Sequence, residues 1–134
     1  MGGYGAARLV LGHPELFCAG LLLSPAVWYT VQGQQPRLNW GLFDGFSQRV
    51  WDGYHPATNL SAYAAKGCPA AFFVYHGAED LAVPEKDVTR FVNELSRVAP
   101  VEYHCIPGRG HEWPFWVEGL EAALHFAGGL LQRG

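Results

Sequence analysis

Three strand-length segments, set apart by helical patterns and turn residues, constrain this chain more than any other feature. Phe17 to Leu23 is a continuous apolar run closed by Ser24-Pro25, and Ala70 to His76 is a second, punctuated by Gly77. Val101 to Ile106, which includes Glu102 and His104, is a third strand, closed by Pro107-Gly108-Arg109-Gly110. A run without a polar face suits a strand buried on both sides, as in a parallel sheet. Between and around these segments the period changes. Ala6 to Leu11 reads as a helix ended by Gly12-His13-Pro14. Residues 85–98 follow Pro84 and place Val88, Phe91, Val92, Leu95 and Val98 on one face, with Pro100 as the stop. Residues 114–132 form a last helix, with Trp116, Leu120, Leu124, Ala127 and Leu131 as its expected inner stripe. Strands alternating with helices imply an α/β fold around a parallel sheet, and in such sheets the chemistry lies at the carboxyl ends of the strands.

Residues 26–65 break the pattern. Gly33, Gly41, Gly45, Gly53, Pro36 and Pro56 interrupt them, and Trp28, Tyr29, Trp40, Phe43, Phe46, Trp51 and Tyr54 are interleaved. A long irregular stretch rich in aromatics is more often a lid or pocket wall than a plain connector. Short helices are expected near Phe46 to Trp51 and Asn59 to Ala65.

Composition removes several classes of function. The chain has 134 residues, 49% of them hydrophobic, which is enough for one domain with a core and excludes a disordered chain. The net charge of −3 with no Lys/Arg cluster gives no footprint for nucleic acid or an anionic membrane. The apolar stretches are too short to span a bilayer. No basic segment followed by an apolar run opens the chain, so no signal peptide is visible and the reading leans to the cytoplasm. Cys18, Cys68 and Cys105 are odd in number and lack CxxC spacing, which fits reduced core thiols better than a disulfide framework.

Two residues stand where a parallel sheet keeps its chemistry. Asp80 follows the second strand in His76-Gly77-Ala78-Glu79-Asp80-Leu81-Ala82-Val83-Pro84. An acid on a turn at a strand end can orient an imidazole through its Nδ1–H, although Asp also favours turns for its own sake. His111 follows the third strand, in a loop with glycines on both sides of Arg109. Its pKa range suits a general base, against the plainer reading of an exposed loop histidine. A zinc site is disfavoured: His111-Glu112 begins like H-E-x-x-H, but position 115 is Phe and Pro114 interrupts the helix such a motif needs. His104 and Cys105 are adjacent in a strand and point to opposite faces. Gly2, Gly3 and Gly5 lack the spacing and preceding strand of a phosphate loop. No metal and no cofactor are expected. Tyr4, Trp28, Trp113 and Trp116 are candidates for a substrate pocket, against the competing expectation that aromatics fill the core and, for Trp116, that it belongs to the helix stripe.

Taken together, four segments resemble the esterase D-like group of the α/β hydrolases, which includes feruloyl, acetyl-xylan and enterochelin esterases and the mycolyltransferases. They are M-G-G-Y-G-A-A-R-L at 1–9, H-P-E-L-F-C-A-G-L-L-L-S-P-A at 13–26, Y-H-G-A-E-D-L-A-V-P at 75–84 and I-P-G-R-G-H-E-W-P-F-W at 106–116. The resemblance implies a three-layer α/β-hydrolase fold of which this chain holds the C-terminal half: about three parallel strands, flanking helices and an irregular aromatic insert. In one partial domain, 1–25 is then the helix and strand after the nucleophile elbow, 26–65 the lid-like insert, and 66–134 the part that carries acid and base. By resemblance Asp80 is the acid and His111 the base of a Ser-His-Asp triad, in the chain order of this fold. The elbow pattern Gly-x-Ser-Met-Gly-Gly aligns with Met1-Gly2-Gly3, so the nucleophile falls just ahead of Met1 and the Met1 N–H is an oxyanion donor. Ser24, Ser47, Ser61 and Ser96 do not occupy the nucleophile position.

The resemblance therefore implies a C-terminal fragment of a serine carboxylic-ester hydrolase, acting on a small-molecule ester or thioester and inactive by itself. It also implies strands ahead of the first one here. The missing N-terminal half, or a second chain, is expected to cover the open sheet edge. A non-catalytic module with an aromatic ligand pocket and an acyltransferase on the same scaffold are the alternatives.

Overall fold

The computed structural model describes residues 1–30, 47–67 and 70–132. Helix α1 (Gly2–Gly12) leads into strand β1 (Ala19–Leu23). Helix α2 (Gln48–Tyr54), a 3-10 turn (Pro56–Asn59) and helix α3 (Leu60–Lys66) precede β2 (Ala71–Gly77). Helix α4 (Glu85–Leu95), β3 (Val101–Ile106) and α5 (Trp113–Leu131) complete the order. Residues 31–46 of the aromatic insert, with Trp40, Phe43 and Phe46, lie outside the described residues, as does Cys68.

The three strands form one parallel sheet in the order β1-β2-β3. Ala19 pairs with Ala71 and Leu23 with Tyr75; Phe72 pairs with Val101 and Gly77 with Ile106. Alternation then sorts β2 between two faces. Phe72 and Val74, with Leu22 of β1, join a core built from Ala7, Val10 and Leu11 of α1 and Val88, Phe91, Val92 and Leu95 of α4. Trp28, Trp51 and Tyr63 close that core. Phe73 and Tyr75 face the other way, against Phe126 and Phe115 of α5 at 5.6 and 4.6 Å between ring centroids. Helices thus cover both faces of a parallel sheet, the three-layer arrangement the sequence implies.

Helix α4 begins just after Pro84, and Glu85 and Asp87 place negative charge in its first turn, where the helix dipole favours it. It ends at Leu95, three residues earlier than its apolar pattern implies; Val98 packs against the core from beyond the helix.

The inner face of α5 departs from expectation. Phe115, Gly119 and Ala123 are its buried residues, whereas Leu120, Leu124 and Leu131 are 45, 58 and 73% exposed. The stripe read from the sequence is rotated by one residue, or about 100°. The reason is Gly119, which lies so close to the Tyr75 ring that an added Cβ would stand 2.4 Å from Cδ1. A helix seated on an aromatic sheet face presents its small residues there. Cys18 is also corrected: it is exposed and precedes β1, while the half-buried Cys105 lies within β3, and both are free thiols.

Candidate active site

Both candidate residues are delivered by the turns that follow β2 and β3. The Asp80 turn is closed by its own backbone, with Asp80 N–H donating to the Gly77 carbonyl at 3.2 Å. One carboxylate oxygen, Oδ1, accepts from the N–H groups of Ala82 and Val83, each at 2.8 Å. The other, Oδ2, lies 2.7 Å from Nδ1 of His111. An ionised carboxylate only accepts, so Nδ1 carries the proton and Nε2, across the ring, is left as the base.

The loop carrying His111 is fastened to the Asp80 turn and to α5. Ala78 N–H donates to the Ile106 carbonyl and Glu79 N–H to the Arg109 carbonyl, both at 2.9 Å. That approach requires a glycine at position 77, where an added Cβ would stand 2.3 Å from the Arg109 oxygen. On the other side, the Arg109 guanidinium donates to both carboxylate oxygens of Glu118. Gly108, with φ of 72°, supplies the left-handed step in this loop.

Asp80 is 4% exposed. Burial pushes its carboxyl upward, but the His111 hydrogen bond, the Val83 and Ala82 amides and the His111 charge outweigh it and hold the group below the usual carboxylate range.

His111 opens onto a cleft of about 420 Å³. Met1, Gly2 and Gly3 form one wall, Leu21, Leu23 and Ser24 of the β1 segment another, and Trp113 and Trp116 the rim beside the histidine. The Trp116 ring meets His111 edge-on at 4.8 Å between centroids and donates its Nε1–H to Ser24 Oγ at 2.9 Å. Ser24 is buried and sits at φ 42°, the one described non-glycine residue in the left-handed region.

Of the residues singled out in the sequence, the structure brings Asp80 and His111 together and puts Met1 and Trp113 on the cleft beside them. Tyr4 and Trp28 are placed elsewhere. Neither is among the described residues that line the cleft. Tyr4 stacks on Trp51 at 5.4 Å and donates its hydroxyl to the Tyr54 carbonyl. Trp28 is buried and donates Nε1–H to the Ala82 carbonyl at 2.8 Å, bracing the Asp80 turn from the core. Trp116, also a pocket candidate, lies on the cleft, and so does Ser24. The only sequence signal for Ser24 was its position at the end of a parallel strand. Among the described residues no group of three or more His, Cys, Asp or Glu side chains is arranged to hold a metal ion.

A sequence model of the prolyl oligopeptidase family matches residues 1–131. The chain belongs to the prolyl oligopeptidase family. This agrees with the α/β-hydrolase fold implied by the resemblance, within a family the resemblance did not name. Puromycin hydrolase is similar over 98% of this chain and 21% of its own, at 21% identity and a TM-score of 0.70. An acylaminoacyl peptidase in complex with Z-Gly-Gly-Phe-chloromethyl ketone matches 82% of this chain and 18% of its own, at 19% identity and a TM-score of 0.58. Esterase 2 of Thermogutta terrifontis matches 87% of this chain and 42% of its own, at 16% identity and a TM-score of 0.57. These likenesses concern the fold, and this prolyl oligopeptidase family chain spans about a fifth to two fifths of the length of those structures. Comparison with curated proteins gives no match.

Proposed function

We propose that this chain supplies the acid and base of a serine hydrolase that cleaves carboxylic esters, with Asp80 as the acid and His111 as the base. The observation that carries the reading is the 2.7 Å bond between a buried carboxylate and Nδ1 of an imidazole lying on a cleft. In this reading a serine hydroxyl attacks the acyl carbonyl and passes its proton to Nε2 of His111. The carbonyl oxygen becomes an oxyanion, received by backbone N–H groups that include that of Met1. His111 then returns the proton to the leaving alkoxide, and water repeats the cycle to release the acid. Asp80 stabilises the imidazolium formed at each stage without taking its proton.

The serine enters the cleft from a segment that pairs with the open edge of β1, supplied by a preceding half or a second chain. Met1, Gly2 and Gly3 on the wall facing His111 support that path. Ser24 is the rival nucleophile, but its Oγ is engaged by Trp116, Pro25 after it has no N–H to offer an oxyanion, and no helix begins at residues 25–28. Trp113, Trp116, Leu21 and Leu23 suit an apolar acyl or alcohol group. A peptide substrate is the second reading, favoured by the prolyl oligopeptidase family match, since the same machinery cleaves amides.

The test is the protein that joins this chain to an apolar strand ending in Gly-x-Ser. Its turnover of a p-nitrophenyl ester is expected to vanish when that serine becomes alanine and to survive Ser24→Ala. Loss with Ser24→Ala alone, in a folded protein, would reverse the assignment. A peptidyl p-nitroanilide hydrolysed more efficiently than the matching ester would favour the peptide reading.

A further inference from the structure

A second imidazole stands beside Asp80. His76, on β2, is fully buried, and its Nε2 lies 3.1 Å from the Val83 carbonyl oxygen. A carbonyl only accepts, so Nε2 carries a proton. Nδ1 lies 3.9 Å from Asp80 Oδ2, with both side chains wholly out of solvent, and has no hydrogen-bond partner among the described residues. Asp80 Oδ1 is already taken by two amides, so the oxygen His76 approaches is the one that holds His111.

We propose that His76 is a positioning residue for the Asp80–His111 pair, holding the carboxylate for His111 when neutral and competing for it when protonated. The inference rests on the reading of that pair as acid and base. In the neutral form His76 Nε2–H anchors the Val83 carbonyl while Val83 N–H binds Asp80, so the turn from 80 to 83 is fixed at both ends. Nδ1 then offers only a lone pair, and Oδ2 is left to His111. A proton from solvent on Nδ1 converts that lone pair into a donor aimed at the same oxygen. The charged groups that bear on His76 are Asp80, His111 and Glu85 at the start of α4. Burial makes the ring harder to protonate, and the attraction of Asp80 only partly offsets this, so the neutral form holds at neutral pH and the competing form develops on acidification.

The test is a proton and nitrogen NMR titration of the histidines of the 134-residue chain. At neutral pH His76 is expected as the Nε2–H tautomer, with a downfield Nδ1–H signal from His111. As His76 gains its second proton, that His111 signal should move upfield in step, because a competitor weakens its bond. Protonation of His111 itself strengthens the bond and moves the signal the other way. In His76→Gln, whose amide can still donate to Val83 but does not titrate, the upfield step should disappear while the downfield signal remains. A His111 signal that ignores the His76 titration in the unaltered chain would overturn the inference and leave the pair standing, whether or not the variant folds. A downfield signal that survives Asp80→Asn unchanged would overturn the pair itself, and the inference with it.

Discussion

Burial alone would favour a neutral Asp80, but the three hydrogen bonds it accepts keep it ionised. Because its folded pKa is depressed, its contribution to stability is present above the ordinary carboxylate pKa and is lost as pH falls from there through the folded value. His76 and His55 act in a higher window. Burial lowers both, so the unfolded chain takes up protons first and stability falls as pH drops below about 6.5. His55 has a structural reason to stay neutral: Nδ1 accepts from Ala57 N–H while Nε2 donates to the Val27 carbonyl. A lower urea midpoint at pH 5 than at pH 7 is expected, with a smaller difference in His76→Gln; equal midpoints in the unaltered chain would contradict this assignment. For catalysis, Asp80→Asn in the serine-bearing protein is expected to lower kcat by about 10⁴-fold, because an amide no longer enforces the Nδ1–H tautomer. Both members of the pair were legible in the sequence because each follows a strand that could be read. For Tyr4 and Trp28 the sequence could not tell an aromatic beside a site from one beneath it, because only packing separates them.

At the scale of elements, two glycines set the spacing between β2 and its neighbours. Gly77 lets the His111 loop rest its Arg109 carbonyl on the strand end, and the atoms an alanine would meet are backbone. Gly77→Ala is therefore expected to destabilise the fold by about 1–3 kcal/mol. A loop displaced by about 1 Å would also lower kcat by on the order of 10²-fold, which stopped-flow ester hydrolysis would detect. Gly119 does the same for α5 against Tyr75, a ring already stacked between Phe73 and Phe115. Gly119→Ala should lower the thermal midpoint despite alanine's better helix propensity; a raised midpoint would mean that the Tyr75 ring can move aside. The order of strands and helices was readable from period and turn residues. The rotation of α5 was not, because Leu120, Leu124 and Leu131 mark a helix face without saying what covers it.

At the scale of the whole molecule, the described residues cover the sheet asymmetrically. The described residues give β1 a partner only on its β2 side, and Val117, Leu120 and Leu124 of α5 are open to solvent. A bare parallel edge beside apolar side chains favours association. Sedimentation of the 134-residue chain is expected to show concentration-dependent self-association, reduced by Leu124→Glu and absent once a strand occupies the β1 edge. The most direct measurement is p-nitrophenyl acetate turnover by the serine-bearing protein with and without His111→Ala. The account predicts a loss of about 10⁴-fold or more in kcat/KM with the fold intact. Unchanged turnover in the folded variant would contradict it.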